Sequence, residues 1–90
     1  MSGNRVDELR ARLERDLDPS ALEIIDDSAR HAGHAGAAAG GGHFIVHITA
    51  DAFRGRTLIQ RHRLVYDAVG DMMHRDIHAL SIHARAPDEP

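Results

Sequence analysis

Apolar residues near the start of the chain recur at the spacing of one helix face. This first pattern is carried by Val6, Leu9, Leu13 and Leu17. It predicts an amphipathic helix over residues 5–17, with charged side chains away from the apolar stripe. Pro19 disfavours helical geometry at Asp18, so the helix is expected to end there.

Two segments with a period of two follow this helix. In residues 21–28, Leu22 and Ile24 share one face, and in residues 43–50 the apolar positions alternate more regularly, with Phe44 and Val46 on the same side. Alternation of this kind is typical of half-buried strands. The two strands are predicted to pair as a hairpin.

The C-terminal half repeats the order of helix and then strand. One helical row, predicted to face the core, contains Leu58, His62, Val65, Val69 and Met72. Gly70 costs about 1 kcal/mol relative to Ala inside a helix, which indicates either close packing or a helix end. His78, Leu80 and Ile82 then share one face of a third strand, and residues 86–90 are predicted to fray. A strand, a helical crossover and a strand form a right-handed unit, so the three-stranded sheet is expected to be mixed.

Composition limits the chain to one small domain. The 90 residues are 42% hydrophobic but 3% aromatic, which predicts a thin aliphatic core over about residues 5–85 of a single domain. The pattern favours a two-layer α+β architecture. No apolar run approaches the roughly 20 residues that span a bilayer, and the N-terminus lacks a secretory pattern, so a cytoplasmic location is expected.

The segment between the first two strands is unusually rich in Gly and His. Residues 31–42 hold five of the eight Gly together with His31 and His34, and they are predicted to form a mobile loop. Two interpretations stay open: a flexible spacer, or an arm that carries these two histidines to a partner or a metal.

Eight His and no Cys define the chemistry that the chain can offer. Disulfides and thiolate metal sites are excluded for this chain alone, and neither a His-Glu-x-x-His motif nor a nucleophile elbow is present. The chain is therefore not expected to be an enzyme. His62, on the apolar helix row, is interpreted as a core or boundary histidine with one satisfied ring nitrogen.

The net charge of −3 does not suit a strongly basic nucleic-acid-binding protein. A local basic patch is nevertheless predicted at the start of the second helix, from Arg54, Arg56, Arg61 and Arg63. Such a cluster is either a solvated face or a surface that attracts a negatively charged partner.

Several stretches together resemble the BolA family. They are FRG at 53–55, LIQRHRLVY at 58–66 and IHALSI at 77–82, with SARH at 28–31 and HF at 43–44 in support. The resemblance covers about residues 5–87. It implies an α-β-β-α-α-β domain similar to class II K-homology folds, with a mixed three-stranded sheet and helices on one face.

The same resemblance implies a partner and a cofactor. BolA proteins pair with monothiol glutaredoxins, and the pair holds a bridged 2Fe-2S cluster. The family's C-terminal histidine ligand matches His78 and its loop ligand matches His31, with His34 as the nearest alternative. Glutaredoxin and its glutathione would supply the thiolates. The chain is then expected to be a monomer alone, without a cluster, and a heterodimer with its partner, with no role at a membrane.

Two other functions stay open. BolA proteins have been regarded as transcriptional regulators, which makes DNA an alternative partner for Arg54, Arg56, Arg61 and Arg63. The Gly-x-x-Gly clamp of K-homology modules is incomplete here, because the turn at 55–58 reads GRTL, so RNA binding of that kind is not expected. A third interpretation is a module that docks an acidic partner without metal.

Overall fold

The structure is a computed structural model that describes residues 5–28 and 42–90. Its elements, in chain order, are α1 (Arg5–Leu17), β1 (Ala21–Asp26), β2 (Gly42–Thr49), a 3-10 turn (Asp51–Phe53), α2 (Leu58–Val69), α3 (Met72–Arg75) and β3 (Ile77–Arg85). The α-β-β-α-α-β order and the α+β class are confirmed. Within the described residues, no helix is long and apolar enough to cross a membrane.

The three strands form one mixed sheet in the order β1-β2-β3. β1 pairs with β2 antiparallel, with Leu22 opposite Ile48, and β2 pairs with β3 parallel, with Val46 opposite Ile82. The hairpin and the parallel crossover are both as predicted. β1 ends at Asp26, two residues before the predicted end, because the Asp26 carboxylate accepts a hydrogen bond from the Ser28 backbone N–H at 2.9 Å. Such a turn competes with the strand ladder.

The core lies between the helices and one face of the sheet. Alternate residues of β2 are fully buried, and they pack with the apolar stripe of α1 and with the inner face of α2. The largest fully buried side chains are Phe44, Phe53, Leu9, Leu13, Ile48, Met72, Val46, Val65 and Val69. The predicted stripe of α1 is therefore confirmed, while Phe53 enters the core from a turn that periodicity does not reveal.

Local interactions set both ends of α2. Thr57 caps its start through a reciprocal pair of hydrogen bonds with Gln60, which satisfies backbone donors that a helix start otherwise leaves free. Gly70, with φ +62°, ends the helix, so the prediction of a helix end at this position is the correct alternative. The Arg12 guanidinium of α1 donates to the Val69 carbonyl at 2.7 Å and to Asp71 at 3.0 Å, which joins the two helices.

Two expectations differ from the structure. Leu58 is predicted to face the core, but it is 63% exposed, as is the whole first turn of α2 through Gln60. Residues 86–90 were predicted to fray. Ala86 is instead buried, and the Glu89 carboxylate accepts hydrogen bonds from the Ala86 N–H at 2.9 Å and from Arg61 at 2.7 Å. A charge pair therefore holds the chain end against α2.

Candidate functional site

His78 lies at a break in the ladder between β2 and β3. Gly42 pairs with Ile77 and His43 pairs with Ala79, so His78 is the extra residue of an irregularity and has no partner in β2. Ile77 is buried whereas His78 is exposed. The expected alternation that joined His78 to the inward row of Leu80 and Ile82 is wrong at this one position, because the inserted residue shifts the alternation of faces.

The two ends of the Gly- and His-rich segment are fixed beside this break. The Ser28 hydroxyl accepts a hydrogen bond from the His43 N–H at 3.0 Å, and the Asp27 N–H donates to the His43 carbonyl at 2.8 Å. Gly42 donates its N–H to the Asp76 carbonyl at 3.0 Å. The chain thus leaves at Ser28 and returns at Gly42 next to the start of β3. The two predicted loop ligands, His31 and His34, lie outside the described residues, and their assignment stays a prediction.

A histidine that sequence reasoning left without a role stands at the same end of the sheet. The Nδ1 atom of His43 lies 3.7 Å from a carboxylate oxygen of Asp27, and both side chains are mostly buried. The signal available in the sequence was the position of His43 directly after the Gly-rich segment and on the outward row of β2. This pair places a carboxylate and an imidazole one strand away from His78.

The predicted basic patch is partly neutralised by acidic neighbours. Arg54 pairs with Asp51 and with Asp88, the latter at 3.2 Å. Arg61, whose side chain is 11% exposed, forms a two-pronged pair with Glu89. That guanidinium and the Ala86 N–H lower the pKa of the Glu89 carboxyl from 4.5 to about 2.

The other two arginines of the cluster are more available. Arg56 is exposed and donates from its Nε atom to the Ala52 carbonyl at 3.0 Å, and Arg63 is exposed. The four arginines therefore do not act as one positive surface, and Arg56 and Arg63 carry most of the charge that a partner would meet.

His62 lines a cleft between the start of α2 and the end of β3. The cleft has a volume of about 390 Å³ and is lined by Leu58, His62, Ile82, His83, Ala84, Arg85 and Pro90. The His62 Nε2 atom is buried and lacks a hydrogen-bond partner among the described residues. The half-buried His62 agrees with the predicted core or boundary position, and the expectation of one satisfied ring nitrogen stays a prediction for Nδ1. Leu58, the exposed apolar residue at the start of α2, also lines this cleft.

The sequence and the fold match one protein family. A family model described as BolA-like protein matches residues 13–89. The chain is 45% identical over 92 residues to the Arabidopsis thaliana SufE-like protein 1, chloroplastic/mitochondrial, covering 97% of this chain and 25% of that protein. It is 34% identical to the Escherichia coli DNA-binding transcriptional regulator BolA, covering 83% of this chain and 72% of that protein.

A solved structure gives the same result. The BolA domain of SufE1 from Arabidopsis thaliana superposes with a TM-score of 0.85 at 44% identity, and each chain is covered completely. The chain spans 25% of the first relative and 56% of a second, the Arabidopsis thaliana Protein BOLA1, chloroplastic. Since these names include organelle forms, a cytoplasmic location for this chain stays a prediction.

Proposed function

This chain is a member of the BolA-like protein family, and on that premise we propose that it pairs with a monothiol glutaredoxin and shares a bridged 2Fe-2S cluster with it. The pair would act in iron-sulfur cluster trafficking or in iron and redox regulation. The observation that carries the proposal is the exposed His78 at the ladder break, beside the two anchored ends of the His-rich segment.

The position of His78 suits an imidazole ligand. The side chain is exposed, and it makes no hydrogen bond or ion pair with another side chain of the described residues. The neighbouring backbone is fixed on both sides, because Ile77 is buried and Ala79 pairs with His43. A ligand that is accessible on a rigid strand can meet a metal without first being released from another partner.

The anchoring of the His-rich segment supports His31 as the second ligand. His31 is three residues from Ser28, and three residues span at most about 10 Å. Ser28 is bonded to His43, whose strand partner is the residue after His78. His31 is therefore tethered to the same end of the sheet as His78. His34 has a tether twice as long and remains the alternative.

The donor set fits a cluster that is shared between two proteins. This chain has no Cys, so it can contribute no thiolate of its own. The thiolates would come from the glutaredoxin and its glutathione. When bound, a 2Fe-2S centre with histidine on one iron has a higher reduction potential than an all-cysteine centre. The role of this chain is to present neutral imidazoles and to hold them in place.

Co-expression of the chain with a monothiol glutaredoxin tests the proposal. The purified complex is expected to contain iron and sulfide in equal amounts, and the His78→Ala variant is expected to lose both. His74→Ala is the matched control, because His74 is also exposed but lies on α3 rather than in the β2–β3 ladder. Equal iron in the wild-type, His78→Ala and His74→Ala complexes would contradict the assignment of His78.

Separate variants distinguish the two loop histidines. The complex with His31→Ala is expected to carry less iron or to show an altered visible circular dichroism spectrum, while His34→Ala leaves both unchanged. The opposite result would move the loop ligand to His34. Calorimetry with the same glutaredoxin, first without metal and then with iron and sulfide, separates this function from a module that docks without metal. The affinity is expected to rise with iron and sulfide if the cluster is shared, and to stay unchanged if the chain only docks.

DNA binding is the second candidate function. It is favoured by one relative, whose name describes a DNA-binding transcriptional regulator, and by the exposed guanidinium groups of Arg56 and Arg63. Two phosphate contacts would give a slope of log affinity against log salt of about −2. A mobility-shift titration with Arg56→Gln and Arg63→Gln tests this, with each variant expected to reduce the slope by about 1. Absence of binding at low salt would contradict a DNA-binding function.

A further inference from the structure

Two histidines stack on the face of the sheet that points away from the core. His47 of β2 lies directly opposite His83 of β3 in the parallel ladder. Their ring centroids are 4.5 Å apart and the ring planes differ by 8°. His47 alternates along β2 with the buried Val46 and Ile48, so the pair lies on the outward side of the sheet. His83 is exposed and His47 is half-buried, which leaves the pair open to solvent.

A carboxylate continues the same row on the third strand. Glu23 of β1 is the ladder partner of His47, and its side chain is exposed. Neighbouring strands lie about 4.8 Å apart, so Glu23, His47 and His83 form one line across the sheet. Among the described residues, no group of three or more His, Asp or Glu side chains is already arranged to hold a metal. The row therefore offers two adjacent imidazoles and one carboxylate nearby.

We propose that His47 and His83 together bind a divalent transition-metal ion on the outward face of the sheet. Imidazole nitrogen is a good ligand for Zn²⁺, Ni²⁺ and Cu²⁺, and the remaining positions would be filled by water or by Glu23. At metal–nitrogen distances of about 2.0–2.1 Å, two tetrahedral ligand nitrogens lie about 3.4 Å apart. The ring planes are nearly parallel with centroids 4.5 Å apart, so both rings need to rotate about their side-chain bonds before one nitrogen of each points at the same ion.

This rotation moves the two side chains and leaves the backbone in place. The backbone of both residues is held by the β2–β3 ladder, and each ring is attached through two rotatable bonds. Rotation of both rings out of the stack lets one nitrogen of each converge on the ion while the strand ladder stays intact. A site of this type is positioned by strand register rather than by a loop, which favours reproducible geometry.

The proposed site is separate from the one that His78 defines. His83 is five residues further along β3, which corresponds to roughly 16 Å along an extended strand. Binding at the stacked pair therefore does not depend on the glutaredoxin proposal. A chain with His31, His34 and His78 replaced by Gln isolates it from the family-derived ligands.

Isothermal titration of this triple-Gln chain with Ni²⁺ tests the proposal, with Mn²⁺ as a comparison. One Ni²⁺ is expected to bind, with much weaker binding of Mn²⁺, because affinity for nitrogen ligands rises from Mn²⁺ to Ni²⁺. Adding His47→Gln or His83→Gln is expected to weaken Ni²⁺ binding at least tenfold. His74→Gln, on the exposed part of α3, is the matched control and is expected to leave the affinity unchanged.

Thermal unfolding without metal shows whether each variant is folded before its affinity is compared. Because both side chains lie on the surface of the sheet, their replacement is expected to leave the fold intact. Unchanged Ni²⁺ affinity in His47→Gln and His83→Gln would overturn the proposal, as would a triple-Gln chain that binds no Ni²⁺. Selective broadening of the His47 and His83 ring signals by Ni²⁺ in NMR spectra would support it.

Discussion

Replacement of Gly42 by Ala should destabilise the protein through a clash inside the core. A Cβ atom at this position would lie 2.6 and 2.8 Å from two ring carbons of Phe44 and 3.1 Å from the Ser28 hydroxyl. Phe44 is 0% exposed, so its ring has no free space to move into. Overpacking of this kind costs about 1–3 kcal/mol. For a domain of this size, that corresponds to a fall of roughly 5–20 °C in Tm.

The assay is urea or thermal unfolding followed by far-ultraviolet circular dichroism. Gly55→Ala is the control, because a Cβ there meets no atom within 4 Å and the expected cost, about 1–2 kcal/mol, comes from the positive φ of +70°. If the Phe44 ring causes the clash, Phe44→Leu should relieve Gly42→Ala by about 1 kcal/mol and should not relieve Gly55→Ala. A Tm for Gly42→Ala within about 2 °C of the wild type, or strictly additive double variants, would refute this reasoning.

Three further predictions concern contacts that fix the helices and the chain end. The pKa of Glu89 is lowered from 4.5 to about 2 in the folded protein, so the stability that its carboxylate provides is present above about pH 4.5 and is lost as the pH falls toward 2. Glu89→Gln should therefore lower the urea midpoint at neutral pH, with the difference from wild type vanishing near pH 2; a constant difference would contradict this. Arg12→Met keeps the aliphatic stem but removes the hydrogen bonds to the Val69 carbonyl, Asp71 and Glu8, so urea unfolding should show a loss of about 1–3 kcal/mol. Thr57→Ala removes the cap of α2 and should also cost about 1 kcal/mol, whereas Thr57→Ser should restore most of it.

The regular part of the fold could be predicted because its periods are continuous in the sequence. Leu9, Leu13 and Leu17 repeat at helical spacing, and the strict alternation of β2 leaves one choice of inward face. Once the strands are placed, the hairpin makes β1 and β2 antiparallel and the helical crossover makes β2 and β3 parallel, so the sheet is mixed. The class II K-homology likeness came from the family resemblance and stays a prediction.

The parts that could not be predicted depend on contacts between distant residues. The break at Gly42 arises where this backbone approaches the Phe44 ring and the Ser28 hydroxyl, and periodicity carries no signal for it. Likewise, Arg61 pairs with Glu89, which is 28 residues away in the sequence. A count of charges near α2 misses this partner and therefore overestimates the positive charge of the basic patch. The stacking of two histidines follows from strand register, which the sequence leaves undetermined until β2 and β3 are paired.

The central claim about this protein is that His78 is a ligand of the shared cluster. The most direct measurement is the visible circular dichroism spectrum of the chain reconstituted with a monothiol glutaredoxin, glutathione, iron and sulfide. His78→Ala should abolish the signal of the heterocomplex, while His74→Ala should retain it. A His78→Ala complex whose spectrum and iron content equal those of the wild type would contradict the account.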